Sequence, residues 1–164
     1  QLVLRLKFGP FEKAGQPLAE AMAFAITGQP FDYLVPVPLH PADQRQRGFN
    51  QAEMLCRMIQ RYRPDLALLT ALEKSRRTKR QSSLGPAERA KNVQDIFRAV
   101  TAVHGKNILL VDDVRTTGST VRECAGVLKA GGAASVCLLT AAVAKARIQE
   151  EQVRIWNSLQ EPSA

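Results

Sequence analysis

The spacing of apolar residues changes several times along the chain, and each change marks an element. Leu18, Ala21, Met22, Ala25 and Ile26 recur at helical spacing over residues 17–26, with Pro17 suited to a first turn, which predicts a short amphipathic helix. Phe31-Asp32-Tyr33-Leu34-Val35-Pro36-Val37-Pro38 reads as a short buried strand, closed by prolines that cannot continue a ladder. Residues 39–48 are predicted as loop. Gln51, Leu55, Met58, Ile59 and Tyr62 then share a helical face that Arg63-Pro64 closes. Asn107-Ile108-Leu109-Leu110-Val111-Asp112 is strongly β-type and follows the turn His104-Gly105-Lys106; its hydrophobicity marks a central strand. Val121, Cys124, Ala125 and Leu128 fit a helix that stops at Gly131-Gly132, and residues 135–140 form another apolar strand. Residues 88–100 give no clear period.

Fully apolar short strands that alternate with helices imply a parallel sheet covered on both faces. In such sheets ligands bind beyond the carboxyl ends of the strands. The chemistry is therefore sought in the loops after Val37 and after Val111. The last stretch, residues 144–159, places Ile148, Ile155, Trp156 and Leu159 on a stripe that reads as a packed helix.

Composition narrows the class. The chain has 164 residues, 45% of them hydrophobic and 23% charged, which suits one domain with a real core and excludes disorder as its main state. Its apolar runs are about half of what a bilayer-spanning helix needs, and the N-terminus lacks the layout of a signal peptide, so a cytoplasmic protein without membrane insertion is expected. Cys56, Cys124 and Cys137 form no C-x-x-C pair and read as buried small hydrophobes. The start at Gln1, followed at once by Leu2-Val3-Leu4-Arg5-Leu6, suits a trimmed fragment.

Charge points to an anionic partner. Lys and Arg number 23 against 15 Asp and Glu, a formal net charge of +8. Lys74, Arg76, Arg77, Lys79 and Arg80 concentrate five cations in seven residues, and the segment runs on through Gln81 to Pro86 with almost nothing apolar. It is predicted as a loop. A phosphate-gripping role and a merely solvated surface both remain open for it at this point.

The most informative stretch is Ile108-Leu109-Leu110-Val111-Asp112-Asp113-Val114-Arg115-Thr116-Thr117-Gly118-Ser119-Thr120. Two adjacent acids at a strand's carboxyl end can accept bonds from sugar hydroxyls or hold hydrated Mg²⁺. The amides and hydroxyls of Thr116, Thr117, Ser119 and Thr120, at the start of a helix, suit a phosphate, and Gly118 lets the backbone approach. Together they describe a site for a ribose that bears a 5′-phosphate. A helix-capping cluster would use some of these residues but has no need of all of them. A phosphorelay receiver domain also opens on a strand ending in two Asp residues. It needs a further Asp downstream, whereas the 51 residues after Asp113 contain none. Neither G-x-x-x-x-G-K-[ST] nor G-x-G-x-x-G occurs.

That run resembles the phosphoribosyl-pyrophosphate (PRPP) motif of type I phosphoribosyltransferases. Lys7-Phe8-Gly9, Val35-Pro36-Val37-Pro38-Leu39-His40, Arg47-Gly48-Phe49-Asn50-Gln51-Ala52, Arg77-Thr78-Lys79-Arg80-Gln81 and Glu88-Arg89-Ala90-Lys91-Asn92-Val93 are similar to successive blocks of the ComF family, whose members are linked to DNA uptake in natural competence. The resemblance implies an α/β type I phosphoribosyltransferase fold: a mostly parallel, Rossmann-like sheet flanked by helices, with a mobile lid loop. It places that domain at residues 1–144, followed by a helical tail at 145–164. It implies catalytic roles for Asp112 and Asp113 and PRPP binding by Val114, Arg115, Thr116, Thr117, Gly118, Ser119 and Thr120. His40, Arg45 and Arg47 would lie on the pyrophosphate side, and Arg77, Lys79 and Gln81 in the lid. For His40, packing beside Pro38 and Pro41 is the competing reading. Many ComF-like proteins begin with a cysteine-rich zinc ribbon, which this chain lacks, so zinc is not expected in it.

The reaction so implied joins the ribose 5-phosphate of PRPP to a nucleophile with release of pyrophosphate. Mg²⁺ would be held mainly through the ligand, with Asp112 and Asp113 as protein partners. The sequence names no acceptor. Three readings follow: a transferase, a PRPP-sensing accessory protein that contacts single-stranded DNA, and an adaptor that keeps the motif without a ligand. A homodimer is left open.

Overall fold

In the computed structural model the described residues are 11–76, 96–115 and 117–143, with side chains described from residue 15 on. Helix α1 (Phe11–Ala25) is followed by strand β1 (Tyr33–Pro36), short helix α2 (Pro41–Arg47) and helix α3 (Gln51–Ile59). Then come β2 (Ala67–Leu68), β3 (Leu72–Lys74), β4 (Phe97–Ala99), β5 (Asn107–Arg115), helix α4 (Ser119–Ala130) and β6 (Ser135–Val143).

Four strands form one parallel sheet in the order β2-β1-β5-β6. The alternation along β5 explains its central place. Leu109 and Val111 join the core on one face with Met22 and Ala23 of α1, Ile26 just after it, and Leu55, Cys56 and Ile59 of α3. Ile108 and Leu110 join the opposite core, with Val121, Cys124 and Leu128 of α4. Side chains of successive strand residues point to opposite faces, so a strand covered on both sides must be apolar throughout. All four of these residues are at most 1% exposed. The sheet predicted from sequence is thus the one observed.

Several boundaries differ. Helix α1 begins at Phe11 and carries Pro17 inside it, not in its first turn. Its buried face holds Ala19, Met22, Ala23 and Ile26, while Ala21 and Ala25 are exposed. Alanine is small enough for either face, so the apolar pattern alone could not fix the rotation. Tyr62 lies beyond the end of α3 and is exposed, so it does not extend that helix's buried face. Residues 39–48, expected as loop, contain α2. That helix buries none of its residues, so it has no apolar stripe to betray it; His40 caps it and Pro41 pre-sets its first turn.

Outside the main sheet, β3 and β4 pair antiparallel as a two-stranded ribbon. Ser75 extends it, with its amide and hydroxyl both donating to the Ile96 carbonyl, at 2.8 and 3.0 Å. Lys74, read from sequence as part of a loop, belongs to β3, and part of the stretch without a clear period is β4. Cys56 and Cys124 are buried, Cys137 half-buried, and all three thiols are free. Among the described residues no helix is long and apolar enough to cross a membrane.

Candidate functional site

Strand β1 ends beside the middle of its parallel neighbour β5, with Pro36 opposite Val111. One bond continues that pairing past β1: the Val37 amide donates to the Val111 carbonyl at 2.9 Å, one residue before Asp112. Asn50, buried at the start of α3, secures the same corner. Its side-chain amide donates to the Val37 carbonyl at 3.0 Å, and its carbonyl oxygen accepts from the Ala52 amide at 3.0 Å. The residue thus both caps a helix and pins the exit of β1. Sequence reading placed Asn50 in a motif block but gave it no role, since an isolated Asn carries no long-range signal.

Asp112 and Asp113 both lie in β5, just before its end at Arg115. Each carboxylate folds back on the next amide: Asp113 N–H donates to Oδ1 of Asp112 at 2.9 Å, and Val114 N–H to Oδ1 of Asp113 at 2.8 Å. Burial, with the Asp113 charge beside it, pushes the Asp112 carboxyl up to about 7. The thiol of Cys124 beneath is also raised, first by burial and then by the Asp112 charge.

Beyond the acids the chain turns at Gly118, whose φ of +77° is left-handed and favours glycine. The backbone conformation therefore gives a reason for this glycine besides close approach to a ligand. Gly118 stands at the N-cap of α4 and supplies no side-chain cap. The hydroxyls of Thr117 and Ser119 meet at 3.0 Å, and Arg122 donates to the Thr117 carbonyl at 3.0 Å, so the loop is braced from its own helix. Arg115, Thr117, Gly118 and Arg122 rim a cleft of about 290 Å³ floored by aliphatic residues of α4, β5 and β6. Thr116 lies outside the described residues.

On the β1 side, His40 accepts the Ala42 amide on Nδ1 at 3.1 Å, a capping role that accounts for part of its chemistry. Arg45 and Arg47 occupy the last turn of α2, both exposed, and Arg47 donates to Gln51 at 3.4 Å. Cations at a helix C-terminus oppose the partial negative charge there. His40 lines a cavity of about 470 Å³ together with Pro38, Gln44 and Asn50 on one wall and Lys74 and Ser75 of the ribbon on the other. The lid residues Arg77, Lys79 and Gln81, and the tail at 145–164, lie outside the described residues.

The donor set suits a hard divalent cation, because positive charge relieves the mutual repulsion of Asp112 and Asp113. Among the described residues no group of three or more His, Cys, Asp or Glu could hold a metal.

Comparison with known families makes this parallel sheet part of a phosphoribosyltransferase-type domain. The family profile described as "Phosphoribosyl transferase domain" matches residues 57–162. The chain is 39% identical over 105 residues to "DNA utilization protein YhgH" of Escherichia coli K12, covering 64% of this chain and 46% of that protein. It is 34% identical over 108 residues to "Competence protein ComFC" of Bacillus subtilis, covering 65% of this chain and 42% of that one. Among solved structures, the glutamine PRPP amidotransferase of B. subtilis superposes with a TM-score of 0.52 at 19% identity, over 77% of this chain and 26% of that one. The chain belongs to the phosphoribosyl transferase domain family, as a ComF-type member with the type I fold. It spans about half the length of the curated relatives it matches.

Proposed function

We propose that this protein binds PRPP with Mg²⁺ and transfers its ribose 5-phosphate to an acceptor with release of pyrophosphate. The observation that carries this reading is the bond from Val37 to Val111, which sets the pyrophosphate-side loop against the acidic pair at one edge of the sheet. The amides and hydroxyls from Thr117 to Thr120 bind the 5-phosphate at the start of α4. Asp112 and Asp113 accept bonds from the ribose hydroxyls and offset positive charge as C1 loses its leaving group. His40, Arg45 and Arg47, with the lid cations Arg77 and Lys79 and with Gln81, take the pyrophosphate. When bound, Mg²⁺ would be held mainly through the ligand, with Asp112 and Asp113 as protein partners, and would supply Lewis-acid neutralisation. The site is taken to work in the cytoplasm.

A second reading keeps the binding and drops the turnover. The names of the relatives, "DNA utilization protein" and "Competence protein", together with the net charge of +8, favour a PRPP-sensing accessory protein in DNA uptake that contacts single-stranded DNA. Calorimetry with PRPP, with and without Mg²⁺, tests the shared part; no heat at millimolar PRPP with Mg²⁺ overturns both readings. Pyrophosphate release with a panel of bases and amines separates them. Release that requires an added acceptor establishes the transferase, and PRPP binding without stimulated release favours the sensor.

A further inference from the structure

The ribbon β3–β4 breaks its own pattern at one position. Leu72 is 2% exposed and sits in the core, Glu73 points outward to pair with Arg98, and Lys74 returns to the face that Leu72 occupies. A lysine therefore stands where strand alternation calls for an apolar residue. Local rules are most often broken in this way at functional sites. The position is built to hold the cation. Phe97 is the register partner of Lys74, is 6% exposed, and presents its ring 5.9 Å from the lysine Nζ.

Lys74 lies on the wall of the 470 Å³ cavity, which it shares with His40, Gln44 and Asn50. Burial lowers the pKa of Lys74, and the charge of Asp43 on α2 opposes that shift. Arginines 45 and 47 are exposed by comparison.

Building on the PRPP-binding reading above, we infer that Lys74 contacts the diphosphate of PRPP and lets the site distinguish PRPP from ribose 5-phosphate. The two ligands share the ribose and the 5-phosphate and differ in the diphosphate at C1. A cation on the ribbon wall, in the cavity that His40 also lines, reads that difference. Because its ammonium already stands over the Phe97 ring, little side-chain freedom is lost when the diphosphate arrives. A charge-assisted bond in a half-buried cleft is also stronger than one at an exposed arginine.

The test is calorimetry of the full chain with Mg-PRPP, Mg-pyrophosphate and ribose 5-phosphate, on wild type, Lys74→Gln and Lys74→Arg, with melting temperatures recorded alongside. Lys74→Gln is expected to weaken PRPP and pyrophosphate by about tenfold or more while ribose 5-phosphate changes by less than about threefold. Lys74→Arg is expected to recover part of the loss. Equal weakening of all three ligands with a fall in melting temperature makes Lys74 a structural residue and overturns the inference. Wild-type-like PRPP affinity in Lys74→Gln overturns it while leaving the PRPP-binding reading intact. If wild type itself binds neither PRPP nor ribose 5-phosphate, that reading fails and the inference falls with it.

Discussion

Asp113 donates its backbone N–H to the carboxylate of its neighbour Asp112 at 2.9 Å, within a strand whose preceding four residues are wholly apolar. The contact holds one acid in place while the charge of the next repels it. Burial, reinforced by that charge, lifts the Asp112 carboxyl to about 7, well above the ordinary carboxylate range, and the hydrogen bond from Asp113 N–H works against the shift.

The pH dependence of stability follows from that shift. The folded protein holds a proton on Asp112 that the unfolded chain has already released, over the window from the ordinary value of 3.8 to about 7. Stability from this group is full below the window and is lost as pH rises through it. Melting temperatures measured without Mg²⁺ should fall more steeply between pH 5 and pH 8 in wild type than in Asp112→Asn. Parallel curves for the two proteins would show that Asp112 titrates normally.

Replacing both acids, Asp112→Asn with Asp113→Asn, should abolish Mg-dependent PRPP binding and leave the melting temperature equal or slightly higher, because a repulsion is removed. Calorimetry and a thermal melt on the same sample read both effects. A large loss of stability would mean that the pair serves the fold instead of a ligand.

Thr117→Val removes a hydroxyl that meets Ser119 at 3.0 Å and leaves net charge unchanged. PRPP affinity should drop by about tenfold, the worth of one good bond to an anion, while weak, salt-sensitive binding of single-stranded DNA stays as it was. Titrations of both ligands against the variant, at two salt concentrations, check this. Unchanged PRPP affinity would remove Thr117 from the phosphate loop.

Asn50→Ala should destabilise the fold by about 2–3 kcal/mol in urea denaturation, since it leaves the Val37 carbonyl and the Ala52 amide without their shared partner in a buried corner. PRPP affinity should fall as well, because the exit of β1 is no longer pinned. A variant as stable as wild type would show that water replaces both bonds.

The strands and main helices were legible because burial repeats at short range. Ile108 to Val111 announce a strand covered on both faces, and Val121, Cys124 and Leu128 announce the helix that covers one of them. The acidic pair and the loop after it were legible for a related reason: consecutive residues supply the whole set of polar groups. Amino-acid order alone determined the parallel α/β class, the edge at which ligands are sought and the chemistry of the β5 loop.

Tertiary structure decided the rest. Helix α2 carries no buried residue, so no period reveals it. The ribbon joins strands of three residues from separate parts of the chain, and only their pairing turns Lys74 from a loop cation into an inward-facing one. The bonds from Val37 to Val111 and from Asn50 to Val37 link segments distant in sequence, because parallel strands must be brought together by a crossover before they can pair. Local order fixes which groups a loop offers, whereas nonlocal pairing fixes which loops face one another, and a site composed of two loops needs both.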